Sequence, residues 1–96
     1  MTSMRDVLDA VAAEFDVPAA ALRGARKTQP LAWARQAAMF LARRHTGASS
    51  VRIGQLLRRD HSTVLHGVRA TEARIGADPD VAQAILRVEQ RLGVCR

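Results

Sequence analysis

Aromatic residues are nearly absent from this chain: two Phe, one Trp and no Tyr, 3% of the sequence. That scarcity argues against a surface for single-stranded nucleic acid, because such surfaces stack bases on rings. Cysteine is scarcer still. Cys95 is the only one, so no intrachain disulfide can form, and a reducing cytoplasm is the expected compartment. No apolar run approaches the ~18 residues of a membrane span, and the opening stretch lacks the core of a signal peptide. Neither GxxxxGK[ST] nor GxGxxG occurs, so no nucleotide-binding loop is expected and no cofactor is implied. With β-branched alternation also missing, a sheet-rich fold is improbable.

Acidic residues are missing from one region in particular. Residues 23–69 hold ten Arg or Lys and a single acid, Asp60. The segment before them carries Arg5 against Asp6, Asp9, Glu14 and Asp16, and the segment after them is balanced. The net charge of +6 is therefore concentrated in the middle of the chain. Segregated positive charge points to a polyanion partner, with a merely solvated basic surface as the alternative.

What the chain has in plenty is helical periodicity. At 96 residues it has room for one domain, 1–96. Ser3 and Asp6 resemble a capping box ahead of Val7, Leu8, Val11 and Phe15, predicting a helix over 3–16 that clamps the core. Asp16-Val17-Pro18 interrupts it. A short helix over 19–23 ends at Gly24, and 25–30 is a loop carrying Arg26 and Lys27. Pro30 suits the first turn of a third helix, 31–45. On it Leu31, Ala34, Ala38, Leu41 and Ala42 face inward, while Arg35, Gln36 and Arg43 occupy a polar side. Gly47 is the expected left-handed terminator. A fourth helix spans 50–57, where Gly54 marks a close crossing. A fifth, 61–75, is expected to bury Val64, Val68 and Ile75 and to end at Gly76, with Ser62, His66 and Arg69 on another face. Asp78-Pro79 opens a sixth, to about 92, along Val81, Ile85, Val88 and Leu92. The fold class is all-α, a compact bundle of about six helices.

The stretch 52–69, RIGQLLRRDHSTVLHGVR, organises this arrangement. A short helix stops at Arg58-Arg59, and a second restarts at Asp60, whose carboxylate suits an N-cap. That pattern is a helix-turn-helix, which sets a polar helix tip into the major groove of duplex DNA. Asp60 can accept from cytosine N4, while His61, Ser62 and Thr63 offer donors and apolar contacts to base edges. Arg35, Gln36, Arg43, Arg58 and Arg59 are candidate phosphate ligands. Arg26 or Lys27 suits a minor groove. For Asp60, capping alone competes with base contact; for Arg43 and Arg44, a solvated helix end competes with phosphate contact.

Catalysis is not expected. Asp60, His61 and Ser62 are the residue types of a hydrolase triad, but neighbours at a helix start diverge and cannot relay a proton. His61 and His66 are five apart, where metal pairs on one helix face favour three or four. His45 reads as a satisfied helix-end residue.

Taken together, Arg35-Gln36-Ala37-Ala38-Met39, Ile53-Gly54 and Arg59-Asp60-His61-Ser62-Thr63-Val64-Leu65-His66 resemble the C-terminal DNA-binding domain of the bacterial replication initiator DnaA. The similarity covers about Val7 to Ile75. It implies a Trp-repressor-like helix-turn-helix and sequence-specific binding of duplex DnaA-box-like DNA. Asp60, His61, Ser62 and Thr63 would then read the major groove, Arg35-Gln36 would touch DNA, and Arg26 or Lys27 would enter the minor groove. It also implies a role in replication initiation or transcription control, a cytoplasmic, nucleoid-associated location, and other DnaA-like replication proteins as possible partners. Three residues depart from the family pattern: Arg58 stands where glycine is common, in a turn one residue short; Ser62 replaces threonine; Ala34 replaces proline. The ATPase domain of the full initiator is not in this sequence, so ATP-dependent origin melting is not expected of it. Two forms remain open, an excised initiator domain and a free-standing small protein; Met1 and the first-helix cap lean towards the second. The alternative of another class is a protein-interaction module whose basic face meets an acidic partner, disfavoured by the lack of an exposed aromatic anchor.

Overall fold

Six helices follow one another in the computed structural model, which describes residues 2–94: α1 (Met4–Phe15), α2 (Ala19–Leu22), α3 (Gln29–Thr46), α4 (Ser50–Leu57), α5 (His61–Ala77) and α6 (Pro79–Leu92). No strand occurs among the described residues, in agreement with the all-α reading. Cys95 lies outside them. None of these helices is long and apolar enough to cross a membrane.

The first helix starts as its sequence dictates. Ser3 Oγ accepts from the Asp6 amide at 3.1 Å, and the Asp6 carboxylate accepts from the Ser3 amide at 3.2 Å, which satisfies two of the free N–H groups at a helix start. The chain leaves α1 through Asp16 in the left-handed region, φ 55°. Glu14 then ties α1 to α6, accepting from Arg87 at 2.7 Å with Arg91 3.6 Å away. The acidic first segment is a clamp, as expected.

The long α3 is the axle of the bundle. Leu31, Ala34, Ala37, Ala38, Met39, Phe40, Leu41 and Ala42 are all buried on it, so its middle is enclosed on every side rather than along one stripe. Val7 and Val11 of α1, Leu22 of α2, Ile53 and Leu57 of α4 and Val64 of α5 share its core, which Ile85 and Val88 of α6 join from the side of α1 and α5. Its alanines and Gly67 let α5 come close.

That closeness changes which face of α5 turns inward. The buried residues there are Val64, Gly67 and Thr71, whereas Val68 and Ile75 are only half-buried. A Cβ at Gly67 would lie 2.4 Å from Met39 Sδ, so the helices meet at the glycine and the larger apolar residues are displaced to the flanks. Thr71 survives burial because its hydroxyl donates to the Gly67 carbonyl at 2.9 Å. Nor does α5 end at Gly76. It continues to Ala77, with the Asp78 amide bonded to the Arg74 carbonyl at 2.8 Å, and only Gly47 and Gly93 take positive φ among the glycines.

Gly54 is also required by a close approach, but not by a helix crossing. A Cβ there would sit 2.3 Å from the carbonyl oxygen of Arg59, which belongs to the turn folding back over α4. The backbone cannot yield as a side-chain tip can. Gly54→Ala should therefore destabilise the chain by about 1–3 kcal/mol through overpacking and lower the Tm by roughly 10 °C. Gly67→Ala should cost less, because the flexible end of Met39 can move. Thermal unfolding followed by circular dichroism checks this; equal losses at the two sites would contradict it.

Candidate nucleic-acid interface

The helix-turn-helix is built from α4, a three-residue turn and α5. Ser49 caps α4, accepting from the Arg52 amide at 3.2 Å. The helix ends at Arg58, which adopts the left-handed region at φ 58° and ψ 44°. A non-glycine residue there costs on the order of 1 kcal/mol, which is the physical reason a glycine suits this position. Two amides, those of Arg58 and Arg59, converge on the Gly54 carbonyl, the second at 2.8 Å. The turn is thereby closed, and Asp60 restarts the chain as the N-cap of α5.

At that restart His61, Ser62 and Thr63 are all exposed. One oxygen of Asp60, Oδ1, accepts from the Thr63 amide and from Ser62 Oγ, both at 2.8 Å. The Thr63 side chain adds to this bonding, so the carboxylate is held by its own helix start. Ser62 bonds to Asp60 directly and not through His61, which is not the order of a catalytic relay. His66 and Arg69 are exposed one and two turns beyond Ser62, on the same face.

The basic loop stands beside this tip. Arg26 and Lys27 are exposed on it, and the Gly24 carbonyl accepts from Nη2 of Arg59 in the turn at 2.8 Å. Arg23 adds a second tie, Nε to the Leu56 carbonyl at 2.9 Å. Residues 33 to 35 positions apart in sequence are thus bonded together. Gln36 is half-buried, next to the place where α5 crosses α3 at Gly67.

Arg35 is not where its helical register was expected to put it. It is 4% exposed, and its guanidinium is turned inward on the backbone of α2 and the loop. Nε donates to the Leu22 carbonyl at 3.0 Å, Nη1 to that of Arg26, and Nη2 to those of Ala21 and Gly24, each at 2.9 Å. Four of its five N–H groups are consumed, so it cannot share a phosphate-facing side with Arg43. Burial, and then the charge of Arg59, lower its pKa from the usual guanidinium value. The two other helix-end arginines separate as well. Arg43 is exposed and donates to Ser50 Oγ, towards α4. Arg44 lies over the Phe40 ring and 3.8 Å from Glu89, towards α6. His45 is satisfied by Glu89 at 2.6 Å.

One residue of this surface escaped the sequence reading. Val51 is the exposed large apolar residue of the described chain, at 54%, and with Gln55, Arg58 and His61 it borders a shallow depression at the turn. Its signal was there to read: it falls off the Ile53, Leu56, Leu57 stripe of its own helix.

Asp60 gives a direct test of the tip. Its pKa is lowered to about 2, chiefly by the Thr63 backbone hydrogen bond and then by the Ser62 and Thr63 side chains. A carboxyl depressed on folding contributes stability above its ordinary value near 3.8 and loses that contribution as pH falls through about 2. An NMR titration of the Thr63 amide should therefore show a midpoint near 2. A midpoint close to the ordinary value would mean that the cap does not hold the carboxylate.

Comparison with known proteins agrees with this geometry. The family described as "Bacterial dnaA protein helix-turn-helix" matches residues 4–70, from the start of α1 into α5. The chain is similar to the chromosomal replication initiator protein DnaA of Thermomicrobium roseum, 42% identical over 87 residues, covering 90% of this chain and 19% of that protein. It is similar to the Deinococcus radiodurans protein of the same name, 36% identical over 89 residues, covering 93% and 19%. The Deinococcus deserti protein is 34% identical over 89 residues, covering 93% and 20%. The chain spans about a fifth of the length of these relatives. With a left-handed corner, a capped helix tip and a basic loop bonded to the turn, it belongs to the bacterial DnaA helix-turn-helix family, an all-helical family of DNA-binding domains.

Proposed function

We propose that the chain binds duplex DNA sequence-specifically at DnaA-box-like sites, with the tip of α5 in the major groove and the basic loop in the adjacent minor groove. The observation that carries this reading is the bond between Gly24 of the loop and Arg59 of the turn. It joins the basic loop to the turn before α5, two elements far apart in sequence, which supports a reading in which both meet the same duplex.

In this reading Asp60, His61, Ser62 and Thr63 meet base edges, with His66 further along the same helix. Arg43 and Arg58, both exposed, neutralise phosphates, and Gln36 approaches the backbone from α3. Arg26 or Lys27 enters the minor groove. Arg35, buried and consumed by carbonyls, is left out of this set. The activity belongs to control of replication initiation or of transcription, in the cytoplasm at the nucleoid, with other DnaA-like replication proteins as candidate partners. It needs no nucleotide and no catalysis by this chain. The competing reading, a basic face for an acidic protein, gains nothing from the aromatic residues: Trp33 is half-buried, edge-on to Phe15 at 5.5 Å and under Arg74 at 4.8 Å.

A gel-shift titration on a DnaA-box duplex and a scrambled duplex at two salt concentrations tests the proposal. The box should bind more tightly, and both affinities should fall steeply with salt through counterion release. Equal affinity for the two duplexes would sink the sequence-specific reading.

A division of labour follows from the same geometry. His61→Ala should reduce discrimination more than overall binding, by about 1–3 kcal/mol for a lost base contact. Arg43→Ala should weaken both duplexes alike and lower the salt slope by about 1. The reverse pattern would reassign the two residues.

A further inference from the structure

The loop that carries Arg26 and Lys27 has no regular structure between α2 and α3, yet its backbone is held carbonyl by carbonyl. Arg35 takes those of Ala21, Leu22, Gly24 and Arg26. Arg59 takes Gly24 at 2.8 Å while its other nitrogen donates to Leu57 at 3.0 Å and Arg58 at 3.1 Å. Both lone pairs of the Gly24 carbonyl are therefore used by guanidinium groups, one reaching from α3 and one from the helix-turn-helix corner. No carboxylate pairs with either arginine among the described residues. The two like charges are close enough that Arg59 depresses the Arg35 guanidinium, so the pair is held together by carbonyl dipoles alone.

We propose that Arg59 is a positioning residue: through the Gly24 carbonyl it locks the basic loop to the turn before the recognition helix, so that the two grooves are read by one rigid body. This rests on the DNA-binding reading above, and it assigns Arg59 a task other than phosphate contact. A loop that entered a groove unheld would lose ordering entropy on binding, and fixing it beforehand removes that cost. The geometry needs a planar fork. Lysine carries the same charge but cannot span the Leu57, Arg58 and Gly24 carbonyls together.

The test is a double-mutant cycle on the full chain with the DnaA-box duplex. Arg59→Lys should weaken specific binding by roughly 10-fold when the loop is intact. In an Arg26→Ala, Lys27→Ala background, where the loop has nothing to place, the same change should cost less than about 2-fold. The salt slope should be the same for the parent and for Arg59→Lys, because the charge is kept and no phosphate contact is lost. A shallower slope in Arg59→Lys would return Arg59 to the phosphate ligands. Equal fold-losses in the two backgrounds, large or small, would overturn the proposal. Amide hydrogen exchange on the free protein supplies the second readout: Arg59→Lys, with Arg59→Gln as a further variant, should speed exchange in residues 24–28 and leave the middle of α3 unchanged. A uniform acceleration over the whole chain would mean a purely structural role and would also overturn it. Should the parent protein fail to prefer the box over a scrambled duplex, the sequence-specific reading falls, and the clamp falls with it. A parent that discriminates while the cycle is additive removes the clamp alone.

Discussion

Ten cations share residues 23–69 with one carboxylate, and that carboxylate is occupied in capping α5. Apart from Arg44, which reaches Glu89 of α6, the cations of this segment fold without the ion pairs that usually quiet a basic stretch. Peptide carbonyls are used instead. Arg23, Arg35 and Arg59 together bond to those of Ala21, Leu22, Gly24, Arg26, Leu56, Leu57 and Arg58. Two of these, Leu56 and Leu57, end α4, where the helix dipole favours positive charge. Arg26, Lys27, Arg43, Arg52, Arg58 and Arg69 are left exposed, where a polyanion can meet them. The salt bridges lie at the far side, joining Glu14 and Glu89 to α6 and α3.

Packing and polar chemistry are joined at two glycines. Gly67 allows α5 to lie against Met39 of α3, and Gly54 allows the turn to fold over α4. The first sets the depth of α5 in the bundle. The second sets the direction in which its tip leaves the turn. Arg58, strained in the left-handed region, completes that corner while keeping its charge exposed. A corner that tight holds Asp60, His61, Ser62 and Thr63 at the surface, with the Thr63 amide already capped by Asp60.

Much of this could be read in the sequence because it rests on local rules. Helix periodicity, the Ser3 and Asp60 caps, Pro30 at the start of α3 and Gly47 at its end are decided within a few residues. The corrections all concern distance through space. Helical register sets Arg35 with Gln36 and Arg43, since a helical wheel knows only its own helix. Its actual neighbours are carbonyls 9 to 14 positions away. Apolarity alone puts Val68 and Ile75 inside, but the inner line of α5 follows its closest approach to α3, and so falls on Gly67 and Thr71.

The Arg58-Arg59 corner shows where the two levels of information part. That a helix stops there and another begins with a polar, capped tip is written in the residues themselves, because stop and start signals act on adjacent positions. So is the cationic character of the region. Which cations remain free is not. A guanidinium is a fork of donors, and whether it faces solvent or backbone depends on which carbonyls the assembled helices bring within hydrogen-bond reach. Arg58 and Arg59 are neighbours of one residue type, yet the first points outward and the second is drawn to Gly24.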